Sequence, residues 1–163
     1  MKLAKNLNNL GTESAFSVLA EAKALEAKGH PMIHLGLGQP DFKTPKHVVE
    51  AAKKALDDGH HGYVMSNGIP ECREAVTRWI KKQYNANIDA ERILIMPGGK
   101  PTMSYAIQCF GEPGAEIIHP TPAFPIYESM INYTGSTPVP YDLTEDKDLK
   151  FDPDKILSLI TDK

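Results

Sequence analysis

Arg92-Ile-Leu-Ile-Met-Pro-Gly-Gly-Lys100 opens the stretch that decides the fold, and Ala115-Glu-Ile-Ile-His119 closes it. Residues 92–96 are apolar without alternation and lie between Asp89 and Pro97, the pattern of a strand buried on both faces. Pro97-Gly98-Gly99 turns the chain. From Lys100 to Phe110 apolar residues return at helical spacing, through Met103, Ala106, Ile107 and Phe110, until Gly111-Glu-Pro-Gly114 stops them. Residues 115–119 read as a second strand, so the stretch predicts a βαβ unit. Downstream, His119-Pro-Thr-Pro-Ala precedes a helix expected over about 124–133, then a third strand over 137–141 and a helix over 153–160. Alternating strands and helices predict an α/β fold with a parallel sheet. Eight of the 13 prolines fall between Pro97 and Pro140, where they are expected at strand ends and in loops.

Upstream the chain reads as helical. Phe16, Leu19, Ala22 and Leu25 recur at threes within 12–28, ahead of Gly29 and Pro31. Residues 33–45, Ile-His-Leu-Gly-Leu-Gly-Gln-Pro-Asp-Phe-Lys-Thr-Pro, read as a structured linker that ends in a helix start, with Thr44 as N-cap and Pro45 at N1. The next helix carries Val48, Ala51, Ala52, Ala55 and Leu56 on one stripe as far as Asp58-Gly59. After a polar, turn-rich stretch a third helix runs from Pro70 to Tyr84 through Val76, Trp79, Ile80 and Gln83.

Composition narrows the function classes. The chain has 163 residues, 41% hydrophobic and 24% charged, which is one domain's worth of globular sequence and excludes disordered, collagen-like and coiled-coil classes. Its 18 Lys and Arg against 21 Asp and Glu leave a net charge of −3 with no basic cluster, so no nucleic acid and no membrane surface is expected as partner. The longest aliphatic run, 93–96, is far too short to span a bilayer, and the start MKLAKNLNNL reads as lacking a signal peptide. Cys72 and Cys109 have no CxxC spacing, so neither a disulfide framework nor a zinc site is indicated and a cytoplasmic location is expected. Cys109 falls on the apolar side of its helix and is expected to be a buried structural thiol, and Cys72 follows the same reasoning.

Two loops could carry chemistry. Gly98, Gly99 and Lys100 lie between a strand and a helix, where glycines let a ligand approach the backbone and the helix start favours an anion such as phosphate. The segment is neither GxGxxG nor GxxxxGK[ST], and from the local sequence alone a tight turn with a solvated lysine is the favoured reading. The loop ending at Phe124 also follows a strand's carboxyl end, where open α/β sheets bind ligands. Phe124 either covers a flat ring there or is an ordinary core aromatic. His60-His61 cannot both face one metal from a regular element and read as a solvated loop. His34, His47 and His119 have no acid partner at triad spacing, and Ser104 lacks a GxSxG context.

Read in order, five marks resemble the first part of a class I aminotransferase, a fold type I pyridoxal-phosphate enzyme of the aspartate aminotransferase-like kind. They are Leu35-Gly-Leu-Gly-Gln-Pro-Asp-Phe42 with Thr44-Pro45, Tyr63, Gly68-Ile-Pro-Glu-Cys-Arg-Glu74, Pro97-Gly-Gly-Lys100 and Pro122-Ala-Phe-Pro-Ile-Tyr127. The resemblance covers the chain from about Ser14 onward. It implies that Gly98, Gly99 and Lys100 contact the phosphate of pyridoxal 5'-phosphate, and that Phe124 stacks on the pyridine ring where a tryptophan or tyrosine is more usual. It also implies that Gly38 lies by the substrate carboxylate and that Tyr63 reaches the phosphate in the partner subunit of a homodimer. Gln39 stands in place of a common glutamate and Cys72 in place of a common leucine.

The implied architecture is an N-terminal helical arm and linker over 1–46, then, over 47–163, the first part of a three-layer α/β/α large domain with a mainly parallel sheet. The family's later segments, an Asn-Pro-x-Asn-Pro-Thr-Gly stretch, the aspartate for the ring nitrogen, the cofactor-binding lysine and the carboxylate-binding arginines, are not among these residues. The chain is therefore expected to be a truncated N-terminal part, inactive alone, of an enzyme that moves an amino group between an amino acid and a 2-oxo acid. Aspartate is the leading substrate by resemblance. The competing expectation is a non-catalytic remnant or interaction domain that keeps part of the fold.

Overall fold

The computed structural model describes residues 2–11 and 15–163. These form two compact units, one of Met1–Leu37 with Gly98–Lys163 and one of Gly38–Pro97. The first unit holds α1 (Ala15–Glu26), α4 (Gly99–Phe110), β1 (Glu116–Thr121), α5 (Ile126–Thr134), β2 (Thr137–Asp142) and α6 (Pro153–Ser158). The second holds α2 (Lys46–Asp57) and α3 (Pro70–Tyr84). Short 3-10 turns occupy Lys5–Asn9 and Ala90–Arg92. The expected start of the first helix at Thr12, and the start of the family resemblance at Ser14, lie outside the described residues.

The fold is α/β with a small parallel sheet, and its centre is the unit β1–α5–β2. The strands pair in parallel with Glu116 opposite Thr137 and Thr121 opposite Asp142. Thr137 N–H donates to Ala115 O at 2.9 Å and Leu143 N–H to Thr121 O at 2.7 Å, so the odd-numbered residues of β2 turn their amides toward β1. Pro138 and Pro140 then face the outer edge, where a missing N–H costs no ladder bond. That edge is poor in donors, which suits an end strand and discourages further pairing. Pro120, Pro138 and Pro140, expected in loops or at strand ends, thus lie within strands.

The core of this unit is built by Ile107 from α4 with Met130 and Ile131 from α5, and Ile117, Ile126, Tyr127 and Tyr133 pack against it. Tyr141 of β2 is buried, and its hydroxyl accepts a hydrogen bond from Asp152 N–H at 2.7 Å, the residue that caps α6. At the amino end of the sheet two turns interlock. Ser136, also buried, donates to Glu112 O at 3.0 Å, and Gly111 sits so close to Thr134 that a Cβ there would lie 2.6 Å from its Oγ1.

In the second unit α3 spans the residues expected of it and ends at Asn85 in the left-handed region. The α2 helix starts one residue later than its sequence suggests. Pro45 is the cap residue and makes no side-chain cap, so Thr44 is not the N-cap. Pro45 O instead accepts from Val48 and Val49 N–H, and Gly59, at φ +84°, ends the helix as expected.

The main correction concerns residues 92–96. Ala90–Arg92 is a 3-10 turn, closed by Asp89, whose carboxylate accepts from Glu91 N–H at 3.0 Å. Residues 93–96 lie outside any strand, and among the described residues the only sheet is β1–β2. Ile93 has strand-like angles, φ −98° and ψ 128°, and Ile95 N–H donates to Asn67 O at 3.1 Å. An apolar β-branched run sets extended dihedrals by itself, whereas a ladder needs a second backbone beside it. The first of the two expected βαβ units is therefore absent, and the second is present.

Candidate functional site

The site grows from the carboxyl end of β1 and the start of α4. Gly98 caps α4 at φ +105° and ψ 164°, a conformation that a residue with a side chain rarely adopts. A Cβ there would meet only Pro101 Cδ at 4.0 Å, so the backbone conformation requires glycine and crowding does not. The amides of Gly98 and Gly99 precede any acceptor within the helix, and the dipole of α4 adds to their attraction for an anion. Pro101 in the first turn has no N–H, so the donors are narrowed to the glycine end of the loop. Gly98 has no side chain with which to cap them, and Thr102 Oγ1 donates to Gly98 O at 3.2 Å.

The Lys100 side chain turns toward the second loop. Its ammonium lies 5.3 Å from the ring centroid of Phe124 and 5.7 Å from that of Phe16 on α1, both within cation–π range. Phe124 is 37% exposed, so it is no core aromatic and part of its ring remains accessible. Gly98, Gly99, Lys100 and Phe124 are therefore gathered at one end of the first unit. Tyr63 and Gly38 belong to the second unit. Tyr63 is fully exposed, and the space around Gly38 is open.

Other side chains correct the sequence reading. Cys109 is exposed, because the side of α4 that packs on Met130 and Ile131 of α5 is the one carrying Ile107, and Cys109 lies away from it. Cys72 is half-buried. His34 does have an acid partner, Glu26 Oε1 at 3.0 Å, but the pair is exposed and lies on α1 and the linker after it. Two further residues come into view only in the fold. Phe16 reads in the sequence as one more position on an apolar stripe, and nothing in its spacing marks it as a neighbour of Lys100. Arg73 did carry a signal, since it stands on the same helical stripe as Val76, Thr77 and Ile80, and it is buried.

A glycine turn at a helix start with an aromatic loop beside it, at the carboxyl end of a parallel sheet, fits a pyridoxal-phosphate enzyme, and comparison with known sequences settles the family. The sequence model of the Aminotransferase class I and II family matches residues 30–163. The chain belongs to this family. Aspartate aminotransferase of Bacillus subtilis (strain 168) is 32% identical over 163 residues, which is all of this chain and 42% of that protein. Alanine aminotransferase of Pyrococcus furiosus superposes with a TM-score of 0.89 at 30% identity, covering 99% of this chain and 42% of that one. Aspartate aminotransferase of Thermus thermophilus, solved with maleate, gives a TM-score of 0.88 at 29% identity over the same shares. This aminotransferase-family chain thus spans about 42% of the length of these relatives and corresponds to the N-terminal part of their fold. The family implies pyridoxal 5'-phosphate as cofactor. No described helix is long and apolar enough to cross a membrane.

Proposed function

We propose that this chain is the first part of a pyridoxal-phosphate-dependent aminotransferase that moves an amino group between an amino acid and a 2-oxo acid. The observation that carries the reading is the glycine turn at the start of α4, with Gly98 at φ +105° and Lys100 folded against Phe124. In this reading Gly98 and Gly99 donate their amides to the cofactor phosphate, and Lys100 adds a positive charge at the same end. Phe124 offers its partly exposed ring to the pyridine. Gly38 leaves room for the substrate carboxylate, which its open surroundings support. Tyr63 serves the phosphate of a partner subunit, and its full exposure supports a role outside its own unit. When bound, the cofactor supplies an electron sink for the substrate's Cα–H bond.

The arm and linker comprise 1–46, and 47–163 begin the large domain. The two unpaired thiols support a reducing, cytoplasmic setting. None of the residues named here serves as the covalent anchor for the cofactor, so we assign no transamination to residues 1–163 alone. Aspartate is the first substrate to try, since two of the three relatives named above are aspartate aminotransferases.

The test is to incubate the full-length protein and residues 1–163 separately with pyridoxal phosphate, reduce with borohydride and map the modified lysines. The full-length protein is expected to give one stoichiometric adduct and to turn over an amino acid with a 2-oxo acid. Residues 1–163 are expected to give scattered labelling and no turnover. A single adduct with turnover on residues 1–163 would mean that the chemistry has been misplaced, and no adduct on the full-length protein would favour a non-catalytic remnant.

A further inference from the structure

Arg73 lies in the first turns of α3 and is only 3% exposed. A guanidinium stays charged at any working pH, so acceptors must offset its burial. Nη1 donates to Ala90 O at 3.0 Å and to Glu91 Oε1 at 2.8 Å, both in the turn that leads into residues 93–96. At the other end of the same contact, Gly68 N–H closes a turn onto Met65 O at 3.0 Å, and Ile95 N–H donates to Asn67 O at 3.1 Å. Gly68 approaches Ile95 so closely that a Cβ would lie 2.6 Å from its Cγ1. Residues 67–73 therefore grip residues 90–95 at two points, through the glycine contact and through Arg73. Tyr63 stands two residues before the turn that opens this grip. Its side chain is fully exposed, so its placement is inherited from the backbone at the base of its loop.

We propose that Arg73 is a positioning residue for cofactor binding: by clasping the 90–92 turn it holds the base of the loop that presents Tyr63. The proposal rests on the reading of Tyr63 as a phosphate contact. A loose base would let the hydroxyl wander by an ångström or more, enough to lose a hydrogen bond whose geometry is narrow.

A double-mutant cycle in the full-length enzyme tests it, with bound pyridoxal phosphate measured by equilibrium dialysis and absorbance. The variants are Arg73→Met, Tyr63→Phe and the two combined. Arg73→Met is expected to fold, because the side chain of Glu91 is 72% exposed and stays solvated, and Ala90 O keeps its other hydrogen bond, from Ile93 N–H at 3.1 Å. It should weaken cofactor retention by about tenfold, and by less than about twofold once Tyr63 is already Phe, since coupled residues lose their effect together. Glu91→Ala removes one acceptor at an exposed position. It should give a smaller loss that also disappears with Tyr63→Phe, and it carries the cycle if Arg73→Met fails to fold. Unchanged retention, or two effects that simply multiply, would overturn the role of Arg73. An unsubstituted full-length protein that retains no pyridoxal phosphate would overturn the aminotransferase reading along with it.

Discussion

Residues 93–96, Ile-Leu-Ile-Met, and residues 116–119, Glu-Ile-Ile-His, share an apolar β-branched character, yet only the second forms a strand. Their surroundings account for the difference. Residues 116–119 are followed by α5, which brings β2 back alongside in parallel and buries Met130 and Ile131 against Ile107. Residues 93–96 have the 65–68 turn beside them and no strand among the described residues. Leu94 is accordingly 59% exposed, while Ile131 is fully buried. A strand sequence is thus a request for a neighbour, and the two regions differ in whether the neighbour is present.

The sharpest contrast sets Ile131→Ala against Leu94→Ala in residues 1–163. Ile131→Ala should cost about 2–5 kcal/mol in urea unfolding, the range for a buried aliphatic whose cavity cannot collapse. Leu94→Ala should stay within about 0.5 kcal/mol, as for an exposed position. Equal costs would mean that residues 93–96 have found cover. In the full-length protein, where we expect flanking strands, the Leu94→Ala cost should rise toward that of Ile131→Ala.

Gly68 tests the grip that does hold residues 93–96. Gly68→Ala forces a side chain onto φ +97° and against Ile95, and should cost about 1–3 kcal/mol. Gly114→Ala places Ala at the same φ with nothing within 4 Å, so it should cost less, and the difference isolates the contact with Ile95. If the two variants melt alike, the contact does not hold the segment.

Tyr141→Phe removes the acceptor for Asp152 N–H on the paired side of the comparison. It should lower stability by about 0.5–1.5 kcal/mol with packing kept, checked by the urea midpoint. The smallest expected change in stability, within about 0.5 kcal/mol, comes from replacing Pro138 and Pro140 together by Val, since neither faces β1. That variant restores donors to the outer edge of β2, and light scattering should show more self-association than in the parent. No increase would mean that the prolines do not guard the edge.

Much was legible from local signals. The helix over Pro70–Tyr84, the strands near 116 and 137 and the helix between them all follow from spacing and from Gly and Pro punctuation. The glycine turn at 98–99 was marked by its place between an extended run and a helix. Local pattern could not tell that Pro138 and Pro140 sit harmlessly inside a strand, because that depends on which edge faces β1. It could not expose Cys109 either, since an apolar helix face is buried only where a second element arrives.

The sequence by itself determined backbone preferences: where the chain extends, where it coils, and where glycine permits a positive φ. It also carried the order of motifs that places the chain among the aminotransferases. Tertiary structure alone decided which extended runs became strands, which apolar stripes were covered, and that the Lys100 ammonium lies beside Phe16 and Phe124. The physical reason is range. Dihedral preferences act within a few residues, whereas ladders, burial and the pairing of Arg73 with residues 90–91 need partners that only the fold brings near.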